Sequence, residues 1–328
     1  MDSGIINNQS YLDQIRIHEG ADKCEAALKE AYRKNANGAV ALLNDSRLSF
    51  PCLFILRSQI QALGIQRNLN YRCKAAIRIT QQVSKPGVSG QDYLSAKSSQ
   101  IQSVLYWMFT TGAAEDITDD NYDETVDVTA SVLVNRYQDL RILPLMVDLV
   151  FRRNRNGRYI HDLVWVLFQS RDPQALKFIA ARIQSLTLED AELAATLLNT
   201  GETDIPTHNT VDNHDAYLQW LEENDPYLYF TGESFQFTSK PAFCAIDHER
   251  KYLQKGTPSY DWQPVALFDD VESQTLVAFR QLEDWQQSAL SAYSHKLHGT
   301  NIAAWQEWIH RPFSEQLKVA TPGSEGTV

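Results

Sequence analysis

Residues 127–199 read DVTASVLVNRYQDLRILPLMVDLVFRRNRNGRYIHDLVWVLFQSRDPQALKFIAARIQSLTLEDAELAATLLN. With Val126 just before them, Ala130, Leu133, Val134 and Tyr137 fall at i, i+4, i+7, i+8 and i+11, one face of a 3.6-residue helix. Leu145, Met146, Leu149 and Val150 form a second stripe after Ile142, with Pro144 in a first turn that needs no backbone N–H. Asn156-Gly157 marks a turn, and Ile160, Leu163, Val164, Leu167 and Phe168 make a third stripe. Asp172-Pro173 reads as an N-cap with proline at the first helical position, ahead of Leu176, Ile179, Ala180 and Ile183. Thr187, with Asp190 three residues on, reads as the cap of a fifth helix. Helix starts thus recur near 126, 142, 159, 173 and 188.

Connections this short make neighbouring helices antiparallel, and stacked antiparallel pairs bury faces that one pair cannot cover. On these residues the chain resembles HEAT- or armadillo-like helical repeats at the level of fold. The likeness covers about a quarter of the chain. Its period is shorter than theirs, and the tetratricopeptide signature residues are missing. It implies stacked helix pairs and carries no functional residues; an irregular helical bundle fits the same periodicity.

Working outward, further helices are predicted over 11–34 with a break at Gly20, from Phe50-Pro51, over 71–82, and from a Ser89 cap to about 111. Beyond 200 they are predicted over 216–224, 271–297 and 302–317. The fold class is therefore mainly α. At most one small β-hairpin is expected near 227–238, with Tyr227 to Phe230 facing Phe235 and Phe237 across residues 231–234. Composition shifts suggest an N-terminal helical region (1–112), a central helical region (113–200), and a loop-rich aromatic segment followed by helices (201–328).

The 328 residues carry 41 acidic and 30 basic side chains, a net charge of −11, which disfavours nucleic acid and anionic membranes as partners. Cys24, Cys52, Cys73 and Cys244 show no CxxC pairing, so they read as scattered reduced thiols of a cytoplasmic protein. No signal peptide is read at the start, and no apolar run is long enough to span a bilayer. There is no GxGxxG, GxxxxGK[ST], GxSxG or HExxH, so no cofactor, metal or catalytic residue is assigned. The acidic run at 115–124 lacks the central glycine and the final glutamate of a calcium loop and reads as a linker or helix-capping segment.

Three groups remain as candidate sites. Arg152, Arg153, Arg155 and Arg158 surround the 154–157 turn; they suit a helix C-terminus or the carboxylates of 115–124, or else form a cationic patch for an anion or an acidic partner. Tyr227, Tyr229, Phe230, Phe235, Phe237 and Trp262 suggest a core under a loop or an aromatic pocket. His208, His214, Asp215 and His248 lie in or near polar loops, at spacings unlike those of a helical zinc site. Stacked helices make extended surfaces that bind other chains, so the expected function is a scaffold or interaction protein whose partner is another protein. The alternative is an enzyme or small-ligand binder with a site between the helical body and residues 200–265.

Overall fold

Capping residues decide where the helices begin. A computed structural model describes residues 9–85, 87, 92–115, 119–200, 210–256 and 268–321. These are 71% helical, with seventeen α-helices and one two-stranded sheet, so the chain is mainly α. They fall into two compact units, Met1–Ser170 and Arg171–Val328.

The first unit holds α1 (Tyr11–Glu19), α2 (Ala21–Lys34), α3 (Ala36–Leu43), α4 (Phe50–Ala62), α5 (Tyr71–Ser84), α6 (Ser99–Gly112), α7 (Asp120–Tyr137), α8 (Leu143–Arg155) and α9 (His161–Gln169). Each packs chiefly on helices one or two places away along the chain. Helix α7 starts ahead of its apolar face because Asp119 accepts the Tyr122 N–H at 3.0 Å and Asp120 and Asp123 occupy its positive first turn. Helix α6 starts at Ser99 under a Ser98 cap rather than under Ser89, which lies outside the described residues. Gly112, at the end of α6, permits close approach: a Cβ there would meet the Tyr122 hydroxyl at 3.1 Å and Phe50 and Val126 at 3.3 Å. Tyr122 donates to the Gly112 carbonyl at 3.0 Å and stacks on Phe50.

The second unit holds α10 (Pro173–Ala180), α11 (Leu188–Leu198), α12 (Thr210–Asn224), β1 (Leu228–Phe230), β2 (Cys244–Ile246), α13 (His248–Tyr252), α14 (Asp270–Phe279), α15 (Asp284–Thr300), α16 (Ile302–Ile309) and α17 (Phe313–Ala320). Asp172 caps α10 through the Gln174 N–H at 2.9 Å, whereas the Thr187 side chain makes no cap bond. The helix predicted over 271–297 is two, because Glu283 and Gln286 form a capping box that starts α15 afresh. The one predicted over 302–317 is also two: Pro312, which has no N–H, sits between α16 and α17.

The strand partner also differs from expectation. Leu228, Tyr229 and Phe230 pair antiparallel with Ile246, Ala245 and Cys244, not with Phe235 and Phe237. Within residues 231–243, Thr231 bonds back to Phe243, and Glu233 accepts the Ala242 N–H at 2.7 Å, so the local aromatics belong to the connection. The core of this unit gathers Tyr252, Leu276, Phe279, Leu290 and Trp308, with Tyr252 stacked on Phe279 at 4.8 Å.

In the first unit, Asp13 is buried and accepts from Ser10 Oγ at 2.6 Å, from the Ser49 N–H at 2.9 Å and from the Ser49 hydroxyl, so one carboxylate closes the starts of both α1 and α4. Asp13→Ala removes the acceptor of all three donors and is expected to destabilise α1 and α4 by about 2–3 kcal/mol. Hydrogen exchange followed by mass spectrometry reads this as faster exchange of both helices; exchange at the wild-type rate would show that the carboxylate contributes nothing.

Candidate functional site

The arginine group sits where α8 gives way to α9, but its members have separate surroundings. Arg153 is 1% exposed, bonds Asp127 at 2.8 and 3.0 Å through Nη1, and reaches Asp123 at 3.1 Å through Nη2. Arg158 pairs with the same Asp123, and Arg152 donates to the Ala113 carbonyl just past the end of α6. Arg155 is exposed. The Arg152, Arg153 and Arg158 guanidiniums thus serve contacts inside the first unit, those of Arg153 and Arg158 to an acidic residue of 115–124. Burial pushes the Asp127 carboxyl up to about 7, against the attraction of Arg153.

The aromatic group is likewise divided. Tyr227 is buried and donates to Gln254 Oε1 at 3.0 Å, with the His295 ring edge-on at 5.4 Å. Phe235 packs edge-to-face on Phe243. Tyr229 and Phe237 are exposed, Phe230 is half-buried, and Trp262 lies outside the described residues. Of the polar group, His208 also lies outside them; His214 contacts Asp215 at 2.9 Å, and His248 belongs to a different cluster. Among the described residues no three histidine, cysteine or acidic side chains are placed to hold a metal ion.

His248 lines a cavity of about 370 Å³ in the second unit, with Leu198, Asn199, Trp220, Ala242, Cys244, Ala245, Ile246, Asp284 and Gln287. The walls come from the end of α11, from α12, β2, α13 and the start of α15. Asp284, Gln287 and Ser291 fall at i, i+3 and i+7, one face of α15. Ser291 Oγ donates its only proton to the Ser288 carbonyl at 2.9 Å. With that proton on the Ser288 carbonyl, the 2.8 Å contact between Ser291 Oγ and His248 Nδ1 is one that the ring donates. In that tautomer Nδ1 carries the proton and Nε2 the lone pair.

Burial lowers the His248 pKa, as does Lys251, while Asp247 and Asp284 pull the other way; the ring is neutral at pH 7. Lys251 is itself buried and bonds Asn224 Oδ1 at 2.5 Å, and burial lowers its pKa too. Burial pushes the Cys244 thiol up to about 12, so sulfur meets the cavity as a neutral group. The arrangement offers a neutral base, a carboxylate, two amides and an indole above an aliphatic floor. Sequence reasoning singled out only His248 of these. The other lining residues come from segments with no shared motif, and only Trp220 and Cys244 carry a side chain uncommon enough to draw notice.

Two consequences follow for the buried ion pair. Arg153→Met leaves Asp123 and Asp127 without their shared counter-charge and is expected to cost about 3–5 kcal/mol in urea unfolding at about pH 8, above the Asp127 pKa. Asp127 holds a proton in the folded chain up to about pH 7, but in the unfolded chain only to about pH 4. Its contribution to stability is therefore fully present below about pH 4 and is lost as pH rises through about 7. Asp127→Asn should remove that part of the slope; an unchanged slope would show that the carboxyl stays ionised. Compared with family models, with curated proteins and with solved structures, the chain has no match.

Proposed function

We propose that this chain is a protein-interaction module of the cytoplasm, acting through stacked helices, with its working surface on the second unit around the mouth of the His248 cavity. The observation that carries this reading is the exposure of large aromatic side chains on segments that supply the cavity's walls or pair with them: Phe237 is 81% exposed, Trp285 57% and Tyr229 43%. Tyr229 stands directly opposite Ala245, a lining residue, so both occupy one face of the strand pair. Trp285 adjoins Asp284 at the start of α15, and Phe237 belongs to the 231–243 connection that ends beside β2. Exposed aromatics around a concave centre are the usual composition of a binding surface. No helix among the described residues is long and apolar enough to cross a membrane, and the four cysteines are free thiols.

A second reading, a small-ligand binder or enzyme, draws on the neutral His248 ring and its free Nε2, the form a general base takes.

The test compares the wild-type chain with Tyr229→Ser, Phe237→Ser, Trp285→Ser in a pull-down from native lysate. A stoichiometric protein is expected on the wild type and not on the triple variant. Added to the purified wild-type chain, that protein should slow hydrogen exchange in β1, in residues 231–243 and at the start of α15. Equal capture by both chains, or no partner at all, would overturn the surface assignment.

A further inference from the structure

The cavity's chemistry identifies what the surface would grip, on the interaction reading above. None of its lining residues is a lysine or arginine. Asp284 lies exposed at its edge, with no ion-pair partner among the described residues. In the tautomer that donates from Nδ1 to Ser291, His248 Nε2 is a second acceptor. The cation whose field reaches the ring is Lys251, one turn along α13, outside the cavity lining and hydrogen-bonded to Asn224 Oδ1. Asp247, on the near side, is already paired with Arg250 at 3.1 Å. Among the residues that line the cavity, the charged group is the Asp284 carboxylate.

From the structure we infer that this cavity binds an alkylammonium group, the side chain of a lysine presented by a partner protein. Three N–H donors would meet the Asp284 carboxylate, His248 Nε2 and an amide oxygen of Asn199 or Gln287. Trp220 lines the same cavity, and an indole face attracts a cation. Leu198, Ala242, Ala245 and Ile246 cover the methylene stem. At about 370 Å³ the cavity sits at the small end of ligand pockets, roughly 300–1,000 Å³, room for one side chain. Tyr229, Phe237 and Trp285 would cover the flanking residues of the partner segment. The chain's net charge of −11 favours a basic partner over an acidic one.

The experiment is an NMR-monitored titration of the full chain, following the Trp220 indole N–H and the His248 ring nitrogens. The probes are acetyl-Leu-Lys-Leu-amide, the same peptide with norleucine or acetyl-lysine at the centre, and n-butylammonium chloride. The lysine peptide is expected to shift both signals saturably, and the norleucine and acetyl-lysine peptides to bind at least about tenfold more weakly. Asp284→Asn, an exposed change at the first position of α15, should weaken the lysine peptide by about tenfold while leaving the norleucine peptide unchanged. Equal binding of the lysine and norleucine peptides would sink the ammonium assignment while sparing the interaction surface. Butylammonium binding as tightly as the lysine peptide would make this a free-amine site and overturn the partner. No shift with any probe, or full affinity in Asp284→Asn, would overturn the proposal outright.

Discussion

Helix α13 is only five residues long, and a helix that short does not hold together in water by itself. Its neighbours fix it at every polar point. Asp247 accepts the Arg250 N–H at 3.0 Å, His248 meets Ser291, Lys251 meets Asn224, and the Tyr252 hydroxyl donates to Gln316 at 3.0 Å. The Tyr252 carbonyl accepts Ser294 Oγ, whose own oxygen accepts Trp305 Nε1. Gln316 then spends its amide protons on the Ile309 and Arg311 carbonyls between α16 and α17. Buried polar groups are costly unless bonded, so this set is satisfied as a whole or loses stability as a whole. The orientation of the His248 ring follows from it, and with it the character of the cavity.

The first unit solves a related problem with charge. Acidic residues gather at the start of α7 and arginines at the end of α8, each favoured by its helix end. Packing brings the two groups together, so that Arg153 is enclosed among carboxylates. Arg152 reaches the carbonyl that follows α6. Local electrostatics placed the charges, and tertiary contact gave them partners.

The helical order of residues 127–199 was legible because strong apolar stripes and the Asp172-Pro173 start are local signals, and α7 through α11 follow them. The pairing of the arginines with the acidic run was legible as one of two readings, since opposite charges in adjoining segments of an α-hairpin often meet. The separate helices α14 and α15 were hidden because their apolar residues stay nearly in phase across the break; only the Glu283–Gln286 reciprocal cap separates them. The partner of β1 was hidden because three-residue strands carry too short an alternation to fix register. The cavity was least legible of all. The character of His248 rests on Ser291, forty-three positions away, and no spacing rule connects a histidine that opens one helix to a hydroxyl on another.

The clasp at Asp13 bears on the order in which the first unit assembles. Asp13 and Ser49 are 36 positions apart, so the carboxylate cannot meet the Ser49 amide until α2 and α3 have brought the chain back. Closing a loop of that length carries an entropic cost that a single turn of helix does not. The first turn of α4 therefore waits on α1 for part of its capping, although α1 comes from a distant stretch of sequence. Nascent α4 is a helix with an open end, and the N-terminal segment is the piece that shuts it.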